Sequence, residues 1–351
     1  MLVTGIEGLD LNAQTEDLIL NRAVGGIILF ERNFETPEQL SRLIRDLQEA
    51  ALSRPPCLPL FISVDQEGGR VARLKAPFTT YPDPACLGKA KSESLAHRFG
   101  LALGKELSAL GINMDYAPVL DVNTNPQNPI IGNRAFSDQP DWVARLGGPF
   151  IRGMQESGVI PVGKHFPGHG DTSQDSHLEL PYVKRDADAL QQVELPPFAR
   201  AVEQGLEVLM TAHVIYSAWD EKFPATFSEF ILQKILRKQL GFQGLIISDD
   251  LEMKAVEKHF PFEQLAALGI NAGIDLFLIC HDTDKIKALQ DHMIGGLDSG
   301  QICADNVTRS VERIIALKRR IPDASINPGN SLSSLADEHR KLAEEMQSHL
   351  G

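Results

Sequence analysis

The amino-acid sequence predicts a single closed (β/α)8 barrel with a short helical arm at its C-terminal end. Three observations carry this. Eight short apolar runs recur along 351 residues with longer amphipathic stretches between them, the alternation that pairs strands in parallel. Runs such as Gly26-Ile27-Ile28-Leu29-Phe30 are apolar on both faces, as a sheet covered by helices requires. Asp65, Asp115, His165, His213, Asp249 and His281 each follow an apolar run at or near its end. One Asp in such a place is a common helix cap. Six polar residues at the same end of six runs instead mark the C-terminal mouth, where barrels of this kind carry their active sites.

In chain order the strands are expected at Leu2–Ile6, Gly26–Phe30, Leu60–Val64, Ile112–Tyr116, Val159–Gly163, Glu207–Thr211, Leu245–Ser248 and Asp275–Ile279. The first is the weakest, and the helix after it, near Glu16–Asn21, is short. Amphipathic stretches at Pro37–Ala51, Glu93–Leu110, Asp141–Glu156, Pro196–Gln204, Gln264–Gly273 and Asp284–Leu297 supply covering helices. Beyond Arg320 the chain passes Ile321-Pro322-Asp323 and Asn327-Pro328-Gly329-Asn330 before a last helical pattern, Leu335–Leu350. About thirty residues are too few for a second domain. The expected division is therefore a barrel over 1–320 and an arm over 321–351 docked on it. No internal repeat or low-complexity region interrupts this order.

Composition narrows the function. A hydrophobic content of 43% supports a large core, and a formal net charge of −13 argues against nucleic acid or an anionic membrane as partner. The segment Met1-Leu2-Val3-Thr4-Gly5-Ile6-Glu7 has none of the marks of a secretion signal. No apolar run approaches the roughly 18 residues of a membrane span. Cys57, Cys86, Cys280 and Cys303 are far apart and form no CxxC pair, so they read as buried free thiols in a reducing compartment. The expectation is a cytoplasmic monomer acting on a small molecule, with no metal and no cofactor.

The densest chemistry lies in Lys164-His165-Phe166-Pro167-Gly168-His169-Gly170-Asp171-Thr172-Ser173-Gln174-Asp175-Ser176-His177, directly after Val159-Ile160-Pro161-Val162-Gly163. Ionisable groups are costly to gather where a buried strand ends unless they act there. Gly168 and Gly170 make its second half a loop, and are expected to let that loop close over bound substrate. On it, Asp175 stands two residues from His177, a spacing that lets a carboxylate orient an imidazole for acid/base work near neutrality.

Ser248-Asp249-Asp250-Leu251-Glu252-Met253 reads either as a capped strand end or as an exposed carboxylate nucleophile able to attack an anomeric carbon. Asp250 then caps the next helix or orients its neighbour. In Val64-Asp65-Gln66-Glu67-Gly68-Gly69-Arg70, Glu67 and Arg70 are expected to pair with each other, and Asp65 is placed to accept sugar hydroxyls. Arg134, in Ile130-Ile131-Gly132-Asn133-Arg134, and His213, in Met210-Thr211-Ala212-His213, carry weaker signals. His213 reads equally as a hydrogen-bonded core histidine.

Together these residues resemble glycoside hydrolase family 3, and within it the single-domain bacterial β-N-acetylglucosaminidases of cell-wall recycling. The matching stretches are Gly25–Arg32, Val64–Val71, Asn113–Asn123, Gly132–Phe136, Lys164–Pro181, Met210–His213, Pro224–Ser228 and Ser248–Met253. The resemblance implies that Asp249 is the nucleophile, that His177 is the general acid/base with Asp175 as its partner, and that Asp65, Arg134, Lys164 and His165 hold N-acetylglucosamine hydroxyls. Arg70 and His213 lie in matching motifs. It also implies release of terminal β-linked N-acetylglucosamine from 1,6-anhydro-N-acetylmuramoyl fragments, with or without peptide. Asn133 departs from the family pattern, which has Asp before the Arg, and is expected to weaken the positioning of Arg134 slightly.

Three alternatives stay open on the residues alone. A phosphorylase would use phosphate where a hydrolase uses water. A metal-dependent barrel hydrolase would take His165, His169, His213 and Asp249 as ligands, although Pro167 and Gly168 forbid the helical His-x-x-x-His presentation. A catalytically dead sugar-binding barrel is opposed by the presence of Asp249 together with Asp175 and His177.

Overall fold

The computed structural model describes residues 1–173, 179–321 and 332–350. Eight parallel strands close on themselves: β1 (Leu2–Gly5), β2 (Gly26–Leu29), β3 (Phe61–Val64), β4 (Met114–Asp115), β5 (Ile160–Phe166), β6 (Val208–Thr211), β7 (Leu245–Asp250) and β8 (Leu276–Ile279). Each pairs with its sequence neighbour, and β1 pairs with both β2 and β8, so no edge remains. The expected (β/α)8 architecture is the observed one.

Side chains alternate across this sheet with period two. Val3, Ile28, Phe61, Met114, Val162, Val208, Ile247 and Leu276 fill the barrel interior. Their neighbours Leu2, Ile27, Ile62, Leu209, Ile246 and Phe277 face outward into the layer beneath the helices. Most covering helices begin where the sequence signals them. Thr36 accepts from the N–H of Gln39 ahead of Pro37–Ser53, Ser92 from that of Leu95 ahead of Glu93–Ser108, and Asp282 from those of Asp284 and Lys285 ahead of Thr283–Asp298. The structure adds helices the amphipathic pattern did not single out, among them Ala304–Lys318 and the π-helix Phe230–Gln239. The wider turn of the latter departs from the 3.6-residue period by which helices are read.

Two irregularities position the chemistry. Between β5 and β6, Gly163 faces Leu209 but Phe166 faces Thr211, so β5 carries one extra residue at Lys164-His165. Between β7 and β8, Ile247 faces Leu276 but Asp250 faces Leu278, so β7 carries one at Ser248-Asp249. Consecutive residues of a regular strand point to opposite faces; a bulge re-aims one of them. Lys164 with His165, and Asp249 with Asp250, accordingly reach the same cavity side by side.

The helix Leu332–Ser348 packs on Glu93–Ser108. Buried His339 places Nδ1 2.7 Å from Glu106 Oε1, and Arg98 forks onto Glu345 at 2.9 and 2.7 Å. Among the described residues no helix is long and apolar enough to cross a membrane. The four cysteines are free, but only Cys86 and Cys280 are buried; Cys57 and Cys303 are exposed, Cys57 in the connection from helix Pro37–Ser53 to β3 and Cys303 at the N-cap of Ala304–Lys318.

Candidate active site

At the C-terminal mouth of the barrel a cavity of about 380 Å³ is lined by Asp65, Arg70, Arg134, Lys164, His165, His169, Asp249 and Asp250, with Phe30, Met253 and Cys280 among its walls. A buried ion network forms one side. Lys164 Nζ lies 2.7 Å from Asp65 Oδ1 and 2.5 Å from Glu67 Oε1. Arg134 forks onto the same Glu67, Nε to Oε2 at 2.8 Å and Nη2 to Oε1 at 2.7 Å. Burial opposes ionisation of Glu67, but Arg134 and Lys164 overcome it and hold the carboxyl far below its usual range. Burial would likewise discharge Lys164, and Asp65 with Glu67 reverses this and raises its pKa. The cavity thus presents two fixed cations, with Asp65 paired to Lys164.

One sequence expectation changes here. Glu67 does not pair with Arg70. It is drawn inward to the two buried cations, while exposed Arg70 donates to the carbonyl oxygens of Pro129 and Ile130. Asn133 donates to Asp83 Oδ2 at 3.2 Å, while the Glu67 fork and the Ile130 carbonyl, 3.2 Å from Nη1, hold the Arg134 guanidinium. Asp115 stops short of the cavity. Its buried carboxyl accepts the backbone N–H of Gln66 at 2.9 Å, and burial pushes its pKa well up.

On the opposite side Asp249 Oδ1 accepts the N–H of Asp250 at 2.8 Å. Burial works against its charge, and His165, His213, that N–H and Lys164 outweigh it, so the carboxyl stays below its usual range. An ionised, partly exposed carboxylate at the mouth is equipped to act as a nucleophile. Asp250 both orients this neighbour and accepts the Glu252 N–H at 3.1 Å, and burial beside Glu252 and Asp249 pushes its own pKa up to about 7. His213 does not line the cavity. It is buried behind Asp249, with Nδ1 2.7 Å from Thr226 Oγ1 and Nε2 3.1 Å from the Asp250 carbonyl. Since that carbonyl only accepts, Nε2 carries the proton.

The loop after β5 is tied to the barrel as far as Thr172. Asn128 Nδ2 donates to the carbonyls of His169 and Gly170 and to Thr172 Oγ1, Asn125 donates to the Thr172 carbonyl, and Arg185 holds Asp171 at 2.7 Å. Gly168 and Gly170 are closely packed. A Cβ on Gly170 would sit 1.7 Å from the Val122 carbonyl oxygen, and one on Gly168 2.4 Å from Glu194 Oε2. Asp175 and His177 lie outside the described residues. His169, beside His165, is held neutral, its pKa lowered to about 4 by burial and by that second imidazole. Among the described residues no group of three or more His, Cys, Asp or Glu side chains is placed to hold a metal ion.

Asp121, Glu194 and Asn128 were not singled out by the sequence reading. Asp121 follows the apolar run Val119-Leu120, the same strand-end signal that marked Asp65.

A parallel eight-stranded barrel whose mouth joins an ionised carboxylate to fixed cations and acceptors for hydroxyl groups defines a barrel enzyme of the glycoside hydrolase class. Residues 2–317 match the glycosyl hydrolase family 3 N-terminal domain, and the chain belongs to that family. A beta-hexosaminidase of Alkalilimnicola ehrlichii is 41% identical over 298 residues, 83% of this chain and 84% of that one. A solved glycoside hydrolase family 3 beta-N-acetylglucosaminidase from a Paenibacillus species superposes with a TM-score of 0.94 at 40% identity, over 99% of this chain and 67% of that one. NagZ of Neisseria gonorrhoeae, solved with N-trifluoroacetyl-D-glucosamine, gives 0.82 at 33% identity over 97% of both chains.

Proposed function

We propose that this glycoside hydrolase acts as a β-N-acetylhexosaminidase with retention of configuration, releasing terminal β-linked N-acetylglucosamine from peptidoglycan fragments. Its natural substrates are N-acetylglucosaminyl-1,6-anhydro-N-acetylmuramic acid, with or without peptide. The observation that carries the reading is Asp249, kept ionised at a cavity whose other wall is the Lys164–Asp65–Glu67–Arg134 network. The names of the relatives support the choice of amino sugar.

In this reading Asp249 attacks the anomeric carbon and forms a glycosyl ester, while His177 gives its proton to the departing glycosidic oxygen. His177 then takes a proton from water, which attacks the same carbon and frees Asp249. Asp175 orients His177 and favours its protonated form. Asp65, Arg134, Lys164 and His165 hold the sugar hydroxyls, Arg70 stands at the rim, and His213 braces Asp249 from behind. The catalytic barrel spans 1–320 and the arm 321–351, and the enzyme works in the cytoplasm as a monomer.

A fluorinated N-acetylglucosaminide should leave an ester on Asp249, read by peptide mapping; a label on Asp250 defeats the assignment. His177→Ala should slow hydrolysis of natural sugar aglycones severely and of activated aryl glycosides much less. Equal slowing of both removes His177 as the proton donor. Turnover that requires phosphate and yields a sugar 1-phosphate replaces hydrolysis by phosphorolysis.

A further inference from the structure

Asp121 is fully buried, and three donors converge on it. Oδ1 accepts the backbone N–H of His165 at 3.1 Å and that of His169 at 2.7 Å. Oδ2 lies 2.7 Å from His165 Nδ1. We propose that Asp121 is a positioning residue that fixes the tautomer of His165, keeping the proton on Nδ1 and leaving Nε2 as a neutral hydrogen-bond acceptor toward the sugar. The same carboxylate ties the base of the catalytic loop, at His169, to that histidine. This rests on the reading of His165 as a sugar-facing residue.

The proton assignment follows from the carboxylate. Burial opposes its charge, but the His165 ring at 2.7 Å and the N–H groups of His165 and His169 hold Asp121 below the usual carboxylate range. An ionised carboxylate has no hydrogen to offer, so the hydrogen in the 2.7 Å contact belongs to Nδ1. In the neutral ring Nε2 then carries only a lone pair. His165 lines the cavity, and Nε2 has no hydrogen-bond partner among the described residues.

A neutral acceptor is what this position needs. Lys164 and Arg134 only donate, and Asp65 is the carboxyl acceptor paired with Lys164. A second anion beside Asp249 would raise the pKa of that carboxyl and weaken its ionisation; an imidazole nitrogen accepts a hydroxyl proton without doing so.

Asp121→Asn tests the inference. The amide supplies one acceptor oxygen and an NH2 group against three donors, and the relief open to it is for His165 to surrender the Nδ1 proton. Nitrogen-15 spectra of histidine-labelled protein at pH about 8.5, where an ordinary imidazole is neutral, read the tautomer, with His165→Gln assigning the signal. The expected result is Nδ1–H in the parent protein and Nε2–H in D121N. Alongside it, kcat/KM on an aryl N-acetylglucosaminide should fall about 10- to 100-fold, mainly through KM. A parent His165 protonated on Nε2, or a folded D121N that keeps the Nδ1–H form, overturns it. If D121N does not fold, the parent spectrum decides alone. The spectra need no substrate, so failure of the glycosidase reading, seen as a parent protein inert on N-acetylglucosaminides, is a separate result.

Discussion

Glu67 has no exposed role, yet it sets the charge of the whole recognition wall. Its two oxygens serve Lys164 and both arms of the Arg134 fork. Glu67→Ala would leave two buried cations with Asp65 as their remaining partner, and removing one member of such a pair costs about 3–5 kcal/mol. A urea midpoint unchanged by this substitution would show the network to be electrostatically slack. Glu194 offers a pH test at the same scale. It is fully buried, neither oxygen has a hydrogen-bond partner among the described residues, and Arg185 stands 3.9 Å away. Burial, with Asp121 and Asp171 adding and Arg185 opposing, raises its pKa from 4.5 to about 8. Between these values the unfolded chain has lost this proton and the folded protein keeps it, so the stability it contributes falls as pH rises and levels off above the folded pKa. Glu194→Gln removes the titration. Its melting temperature should gain on that of the parent between pH about 5 and about 8, and a gap independent of pH would sink this account.

At the scale of elements, two one-residue bulges do what sequence alternation alone could not. They bring adjacent residues of β5 and of β7 to a single cavity, and the loop that follows β5 is then held by contact rather than by hydrogen bonds alone. Gly170 is the tightest such contact, with the Val122 carbonyl where a Cβ would stand. Gly170→Ala is expected to cost about 1–3 kcal/mol, the range for forcing atoms into a packed site. It should also lower kcat, because the displaced loop leads on to His177. Full activity and an unshifted denaturation midpoint would mean that the loop has room the structure does not show.

Across the whole molecule, the helix Leu332–Ser348 is fastened to the barrel layer through a buried polar pair. Glu106 receives Thr79 N–H and His339 Nδ1 at 3.1 and 2.7 Å. His339→Ala should therefore loosen the terminal helix by about 1–3 kcal/mol, the penalty for leaving a buried acceptor short of a partner. Hydrogen exchange resolved along the chain should show lost protection in Leu332–Ser348 and in the facing Glu93–Ser108, with β1–β8 unaffected. Loss spread evenly over the barrel would make the pair part of the global core instead.

Local pattern alone placed the eight strands, because each is a short apolar run bounded by turn residues and its burial on both faces is written in its composition. It also marked Asp65, Lys164, His165 and Asp249, since a charged group at the end of an apolar run stands out without knowledge of its neighbours. Tertiary structure decided the partners. Glu67 and Arg134 are separated by 67 residues and Asp121 and His165 by 44, so their pairing depends on which strands become adjacent once the barrel closes. Nearness in sequence favoured Arg70 for Glu67, and burial overruled it. Register shifts, the seat of His213 behind Asp249 and the close approach at Gly170 are equally products of closure, because each is a fit between segments that carry no signal for one another until they touch.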